Sequence, residues 1–393
     1  MRRIFQFLVI FIVVLYCSFA YGYLYENVFP SLKVLYWYIF TIGFALSIAI
    51  LRLPSLLPKE YLYFVVWIFV YLCYSIFNYL YSSQNSNAEQ YLTTSIEMSV
   101  LLLSFLIIFQ IDDSIRLVRL TIVLVVMFSV VMNLIDFITP MWSKVPGRAA
   151  GLYESPTNSG KMLVFMMVAG LPLIAQKFRL IYCMFIGIGV LITFSRGPWL
   201  LWGVAMLGLA STGYFVFARK LAGIFFVGVL CFAILFLLLT GGMLEYLRAF
   251  GLVDYLTPNT LARLGASGQA FVDISTESRV DVAKKAWAVF QNNPWLGAGM
   301  GYTRGGWGIG IGPHNMYLTL AAEGGLLGVA VFLSLLAILF YTGDGIGKVI
   351  TIVYAASSMT SHNNLEQPAL LIILAFIVVT NKVESARLQI QTS

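Results

Sequence analysis

The sequence predicts an all-α membrane protein with about twelve transmembrane helices (10–12) and one long extracytoplasmic loop that contains short amphipathic helices. Composition is the first observation: the 393 residues are 60% hydrophobic and only 10% charged, whereas soluble chains are about 45–50% apolar and about 25% charged. The second observation is that apolar runs of bilayer length recur along the chain. Together they exclude a soluble multidomain protein, a disordered chain and a nucleic-acid-binding protein.

A helix needs about 20 apolar residues to cross the hydrocarbon core of a bilayer. The first run could also be a secretory signal peptide, but it is long for one and many further runs follow, so we expect a retained helix. The predicted spans are 4–21, 34–51, 61–80, 92–110, 119–138, 161–176, 179–194, 198–218, 222–240, 315–341, 349–361 and 368–381.

The basic residues predict the orientation of these spans. With the N-terminus inside, thirteen of the 24 Lys and Arg residues fall in inner loops, five in short outer loops and six in the long loop. Cytoplasmic loops carry this excess, and long loops are exempt from the rule, so both termini are expected in the cytoplasm. We expect one integral membrane domain: nine spans in 1–240, an outer loop in 241–313, and three spans in 314–393.

Ionisable residues near the predicted outer leaflet are the candidate functional residues, because an ionisable group at membrane depth is costly. Their position favours a site at the outer interface over a translocation path, whose charges would gather at mid-depth. They are Glu97, Asp136, Arg148, Glu154, Arg196, Arg279, His314, Glu323, His362 and Glu366.

Two arginines are candidates for binding an anion. Arg196 lies in a tight outer turn at 194–198, where it is either a snorkelling anchor or a phosphate ligand, since guanidinium groups grip phosphate bidentately. Arg279 opens a predicted interfacial helix at about 279–291, with Ser278 and Asp281 as a capping-box-like pair. A helix N-terminus attracts anions, although Arg279 could also be a solvated surface residue.

His314 is the candidate general base. A neutral imidazole accepts a proton from a hydroxyl near neutral pH, whereas a lone histidine is often only structural. His314 and Asn315 stand at the mouth of the tenth predicted span, beside a glycine-rich loop. Glu323 lies roughly half a revolution around that helix and is not expected to orient the imidazole directly. His362 is the second candidate.

The glycines of this region leave a question open. The pairs Ala321/Gly325 and Gly324/Gly328 predict close helix packing. The glycines of 297–301 either let backbone approach a ligand or form a flexible loop. No dinucleotide-binding, P-loop or metal-ligand spacing is complete, so we expect neither cofactor nor metal.

Six segments together resemble the O-antigen ligase and polymerase family, whose members are polytopic GT-C-class glycosyltransferases that use polyprenyl-diphosphate-linked glycans. Each motif is weak alone, but their order around a long outer loop is specific. They are GRAAGL at 147–152, TFSRGPW at 193–199, SR at 278–279, NPWLGAG at 293–299, HNMYL at 314–318 and EGGLLG at 323–328.

The resemblance implies a role for each matching residue. Arg196 and Arg279 would hold the lipid diphosphate, with Arg148 as a further basic position, and His314 would deprotonate the acceptor hydroxyl. Catalysis would be metal-independent and inverting, on the periplasmic face of the bacterial inner membrane. Asn315, Glu323, Glu97 and His362 are the supporting candidates.

The implied partners are a polyprenyl-diphosphate-linked glycan donor, a glycan or lipid A-core acceptor, membrane lipids and a chain-length regulator. The first hypothesis is a polymerase of lipid-linked repeat units, and the second is a ligase to lipid A-core or to protein. A transporter or flippase is the alternative from a different class. The enzyme hypotheses require Arg196, Arg279 and His314 to meet over one lipid diphosphate outside the membrane.

Overall fold

The computed structural model describes residues 2–52, 61–82, 87–111, 114–145, 147–153, 155–215, 274–304, 307 and 312–392. Every regular element in these ranges is helical, which confirms the predicted all-α class. The α-helices are α1 (Arg2–Cys17), α2 (Ala20–Tyr23), α3 (Val34–Arg52), α4 (Leu62–Tyr81), α5 (Ala88–Ile108), α6 (Ser114–Ile138), α7 (Pro156–Gly170), α8 (Arg179–Leu191), α9 (Arg196–Ser211), α10 (Ile274–Asn292), α11 (Met316–Thr342), α12 (Gly345–Ser358) and α13 (Pro368–Thr392).

The chain divides into two compact units. The first unit comprises Met1–Ile122 and Glu277–Ser393, and the second comprises Val123–Thr276. The predicted span at 222–240 and much of the predicted loop at 241–313 lie outside the described residues.

Five of the described helices are long and apolar enough to cross a membrane: α3, α4, α5, α6 and α11. The pair Arg3–Cys17 and Ala20–Val28, bent by 72°, would add a sixth span. The helices α7, α8 and α9 have only 15, 13 and 16 residues, below the usual range of about 17–25 for a span. The multi-span architecture is therefore present, while the count of twelve stays a prediction.

In the first unit, α5 packs against α3, α4 and α13, and α11 packs against α4 and α12. Some polar groups inside this bundle have hydrogen-bond partners, which lowers the cost of burying them in an apolar environment. The Tyr16 hydroxyl lies 3.0 Å from Thr41 Oγ1, and Trp67 Nε1 donates to the Val331 carbonyl at 2.9 Å. Large apolar side chains on α4, such as Phe69 and Leu80, are exposed, as expected of a surface that faces lipid.

The helix α11 is broken at Gly325, whose φ of 59° and ψ of −153° are non-helical. A break in a membrane helix frees backbone groups, which must be satisfied without water. The segment that follows α10 supplies the partners. The bonds run from Ala298 N to Ala322 O at 2.8 Å, from Gly299 N to Glu323 O at 3.0 Å, from Leu326 N to Pro294 O at 2.8 Å, and from Leu327 N to Trp295 O at 3.3 Å.

The glycine spacing around this break has a packing explanation. A Cβ on Gly297 would lie 2.5 Å from the Glu323 carbonyl oxygen, and one on Gly299 would lie 2.6 Å from Ser82 Cα. A Cβ on Gly328 would lie 2.5 Å from the Tyr74 hydroxyl. These glycines therefore let the chain approach itself closely, which confirms the packing prediction for α11. In the loop, Gly297 and Gly299 approach other parts of the chain, a role that neither interpretation from sequence included.

Gly325→Ala is expected to destabilise the first unit by about 1–3 kcal/mol, because this backbone conformation is essentially restricted to glycine. A Cβ would also lie 2.6 Å from Leu296 N and collide with the Trp295 carbonyl. The measurement is the thermal unfolding midpoint in detergent. Gly203→Ala on α9 is the matched control, since its Cβ meets nothing within 4 Å. Equal midpoints for the two variants would contradict the role assigned to the break.

Candidate functional site

The Arg196 turn of the second unit joins α8 to α9. Phe194 adopts a φ of 45°, a left-handed conformation that is costly for an aromatic residue and that marks functional sites. Ser195 is the N-cap residue, and its hydroxyl lies 2.9 Å from Thr157 Oγ1. Arg196 is the first residue of α9 and its side chain is exposed. Its guanidinium thus stands at a helix N-terminus, where the backbone itself attracts anions.

Several side chains hold this strained turn in place. Trp199 Nε1 lies 3.2 Å from the carbonyl oxygens of both Val190 and Leu191, at the end of α8. The Thr193 hydroxyl donates to the Val190 carbonyl at 2.7 Å. From a separate segment, Arg148 Nε donates to the Thr193 carbonyl at 3.1 Å. These contacts together hold the backbone of the turn that presents Arg196 in its strained conformation.

The structure places Arg148 differently from Arg196. Its side chain is 9% exposed, whereas Arg196 is exposed. The next residue, Ala149, donates its backbone N–H to the Ile192 carbonyl at 3.2 Å. The contacts of Arg148 thus fix the turn that carries Arg196, and direct binding of a donor by Arg148 stays a prediction.

The expected helix start at Arg279 is wrong, because α10 begins at Ile274. The sequence Ser275-Thr276-Glu277 is typical of a helix start, so the helix extends further back than the capping-box pattern indicated. Arg279 therefore lies in the second turn, and its side chain lies outside the described residues. The helix ends at Asn292, as predicted.

The burial of one face of α10 was not predicted from the sequence. Val282 and Ala286 are buried and pack with Trp307 and Ala322. On another face of the helix, Val280 and Trp287 are 48% and 49% exposed, as a helix on a membrane surface would require. The helix therefore has two apolar faces, of which the protein covers one.

His314 of the first unit adopts a φ of 49°, which is uncommon outside glycine although histidine tolerates it better than most residues. The next residue, Asn315, is the N-cap of α11, and its Oδ1 accepts from Leu318 N at 3.1 Å. Asn315 thus fixes the backbone from which His314 projects. The His362 ring lies edge-on to the His314 ring, with centroids 5.3 Å apart and an interplanar angle of 68°. The structure therefore brings both candidate histidines together.

A buried ion pair lies beside the histidines. Arg304 Nη1 is 2.5 Å from Glu366 Oε1, with side-chain exposures of 11% and 27%. Arg304 Nη2 donates to the His362 carbonyl at 3.4 Å, and the guanidinium carbon lies 4.3 Å above the centre of the Tyr91 ring. Burial opposes the charge of Arg304, but the carboxylates of Glu366 and Glu323 more than offset it, so the pKa of Arg304 lies above its ordinary value.

Arg304 is the residue of this cluster that sequence reasoning passed over. It was only one of six basic residues in the long loop, and no capping or spacing signal surrounds it. Glu323 fixes its position, because Oε1 of Glu323 accepts from Thr303 N at 3.0 Å and from Thr303 Oγ1 at 2.6 Å. Glu323 thus anchors the Tyr302–Arg304 turn.

The Arg304–Glu366 pair lines a cavity of about 50 Å³ together with Glu323 and His362, whereas His314 is not among the lining residues. The volume is room for one or two water molecules. Polar groups from α4, α5, α11, the Tyr302–Arg304 turn and the segment between α12 and α13 meet in this cavity. Glu97 does not line it. Among the residues that the structure describes, no group of His, Cys, Asp and Glu is suited to hold a metal ion. The polar lining residues are Tyr71, Tyr74, Ser75, Asn78, Tyr91, Ser95, Arg304, Thr319, Glu323, His362 and Glu366.

Comparison with known families adds one match, to a family model described as O-antigen ligase. It covers residues 181–333, less than half of the chain, and includes Arg196, Arg279 and His314. Arg148 and His362 lie outside it. Searches of the curated proteins and of the solved structures give no significant match. The family match confirms, over this segment, that the chain resembles the O-antigen ligase family.

Proposed function

We propose that this chain is a membrane glycosyltransferase that moves a glycan from a polyprenyl diphosphate to an acceptor hydroxyl. The family match indicates an O-antigen ligase-type function, and the apolar helices fit an inner-membrane protein. The observation that carries the proposal is that the matched segment holds both an exposed arginine at a helix N-terminus and a histidine in a left-handed conformation.

Arg196 is proposed to bind the diphosphate of the donor. Charge develops on the departing diphosphate as the glycosidic bond breaks, and a pre-positioned guanidinium stabilises that charge. The helix N-terminus at which Arg196 stands adds a second favourable field. Arg279 is assigned the same role because its Ser-Arg motif matches the family pattern.

His314 is proposed to remove the proton from the acceptor hydroxyl. The acceptor oxygen then bonds to the anomeric carbon, the bond from that carbon to the diphosphate oxygen breaks, and polyprenyl diphosphate leaves with the bonding electrons. Attack opposite the leaving group inverts the anomeric configuration. The diphosphate linkage supplies the driving force, so neither a metal nor a cofactor takes part in the proposed reaction.

The acceptor distinguishes two forms of this function. In the polymerase form, which the sequence analysis favours, the acceptor is a second lipid-linked glycan. In the ligase form, which the description of the matching family favours, the acceptor is lipid A-core. The proposed orientation places both chain termini in the cytoplasm and the reaction at the periplasmic face, where a chain-length regulator would also act.

The test incubates the purified chain with a polyprenyl-diphosphate oligosaccharide, with and without lipid A-core. Products that lengthen without core would establish the polymerase form, and transfer only to core would establish the ligase form. Absence of glycan transfer under both conditions, in preparations that remain folded, would contradict the proposed function.

Arg196→Ala is expected to raise the donor KM by about tenfold or more, since a hydrogen bond to a charged group contributes about 1.5–3 kcal/mol. Arg196→Lys should recover only part of the affinity, because an ammonium lacks the planar fork that grips phosphate. Lys284→Ala is the control, since Lys284 is an exposed cation of α10. The assignment fails if Arg196→Ala and Lys284→Ala give the same donor KM.

A further inference from the structure

Asp136, in the last turn of α6, is the most heavily bonded carboxylate that the structure describes, and the proposed chemistry does not use it. Its side chain is 2% exposed. Five backbone N–H groups donate to it: those of Met141, Trp142 and Ser143 to Oδ1 at 3.1, 3.0 and 3.4 Å, and those of Ala150 and Gly151 to Oδ2 at 2.8 and 3.1 Å.

This arrangement requires a carboxylate. An ionised Asp accepts through two oxygens with about four lone-pair sites, whereas Asn would direct an NH₂ group at some of the same donors. An acid in the last turn of a helix is also unfavourable, because the helix dipole is negative there. The backbone amides of the following loop therefore explain why an acidic residue occurs at this position, whereas the dipole of α6 disfavours one.

The amides belong to the two ends of one segment, and that segment carries Arg148. Residues 141–143 form its beginning and residues 150–151 form its end, so the single carboxylate closes it into a loop. Arg148 then reaches from the loop to the Thr193 carbonyl at 3.1 Å. Thr193 is three residues before Arg196 and precedes the strained Phe194. A chain of contacts thus runs from Asp136 through Arg148 to the Arg196 turn.

We propose that Asp136 is a positioning residue for glycan transfer: it holds the loop from which Arg148 fixes the turn that presents Arg196 to the donor diphosphate. This inference rests on the proposed function. It assigns Asp136 no contact with substrate. It also gives Arg148 a supporting role that its burial explains better than direct phosphate binding does.

The experiment measures donor KM, acceptor KM and kcat for Asp136→Asn, Arg148→Ala and the double variant. Asp136→Asn is expected to raise the donor KM by roughly tenfold, in line with the loss of hydrogen bonds to a charged group, while acceptor KM stays unchanged. Since both residues act through the same turn, the double variant should resemble Arg148→Ala to within about twofold. Asp136→Glu, which keeps the carboxylate, should recover part of the donor affinity.

Thr139→Ala is the matched control, because it removes an exposed side-chain bond, to the Ile135 carbonyl, three residues after Asp136 and outside the loop that Asp136 closes. A lower yield of folded Asp136→Asn with an unchanged donor KM would show a purely structural role and would overturn the proposal. The proposal would also be overturned if the effects of the two single substitutions on donor KM added up in the double variant. If Asp136→Asn does not fold, the same set of single and double variants is measured with Asp136→Glu in its place. A donor KM of Asp136→Glu equal to that of the wild type would then overturn the proposal. A wild-type chain without transfer activity would instead refute the proposed function.

Discussion

Replacing His314 by Asn is expected to slow glycan transfer by about 10²–10⁴-fold, the usual contribution of a general base. Asn is the informative substitution because it tolerates the left-handed backbone that His314 adopts yet accepts no proton at neutral pH. His314→Ala should be equally inactive, but it adds backbone strain. Donor KM is expected to stay near the wild-type value, since the diphosphate is assigned to the arginines.

The measurement is single-turnover transfer with saturating donor. His362→Asn is the comparison variant, because the His362 ring contacts the His314 ring and would orient it rather than accept the proton. Its rate should fall less than that of His314→Asn. Full turnover by His314→Asn would remove the base assignment, and a larger loss from His362→Asn would transfer that assignment to His362.

Replacing Glu366 by Gln is expected to lower stability by about 3 kcal/mol, the lower end for breaking a buried pair, because it removes the closer of the two carboxylates that stabilise the Arg304 cation. The pair is close, with Nη1 and Oε1 2.5 Å apart, and Arg304 is 11% exposed. A buried charge retains little solvation, so the loss is much larger than for a pair in water. The thermal unfolding midpoint in detergent, read together with the yield of monodisperse protein, measures this effect.

Two further variants make this expectation specific. The double variant Arg304→Met/Glu366→Leu removes both charges and should recover most of the lost stability, as apolar replacements of buried pairs commonly do. Asp281→Asn breaks the exposed Lys284–Asp281 pair, whose side chains are 75% and 69% exposed, and should change little. A Glu366→Gln variant as stable as Asp281→Asn would show that the buried pair contributes nothing.

The helices could be predicted from sequence where apolar runs are long. The runs at 34–51, 61–80 and 315–341 correspond closely to α3, α4 and α11. The shorter helices of the second unit could not be sorted into spans by hydropathy, because α7 is almost wholly buried in protein. A helix covered on all sides is apolar whether or not lipid surrounds it.

The candidate residues could likewise be predicted from sequence only where a local pattern marks them. Arg196 and His314 could be found because a tight turn and a helix mouth expose polar residues at readable positions. Arg304 could not, because its partner Glu366 lies 62 positions further along the chain, and no local pattern reports such a pairing. The break at Gly325 was likewise hidden, since a Gly-Gly pair in an apolar run indicates close helix packing as readily as a backbone break.

The central claim is that this chain breaks the bond between a glycan and its polyprenyl diphosphate, in contrast to a transporter, which would move the lipid intact. The most direct measurement reconstitutes the purified chain in vesicles with a labelled polyprenyl-diphosphate oligosaccharide and lipid A-core, and quantifies free polyprenyl diphosphate against transferred glycan. A glycosyltransferase is expected to release one polyprenyl diphosphate for each glycan transferred, and its His314→Asn variant almost none. Movement of intact donor across the bilayer without release would contradict it.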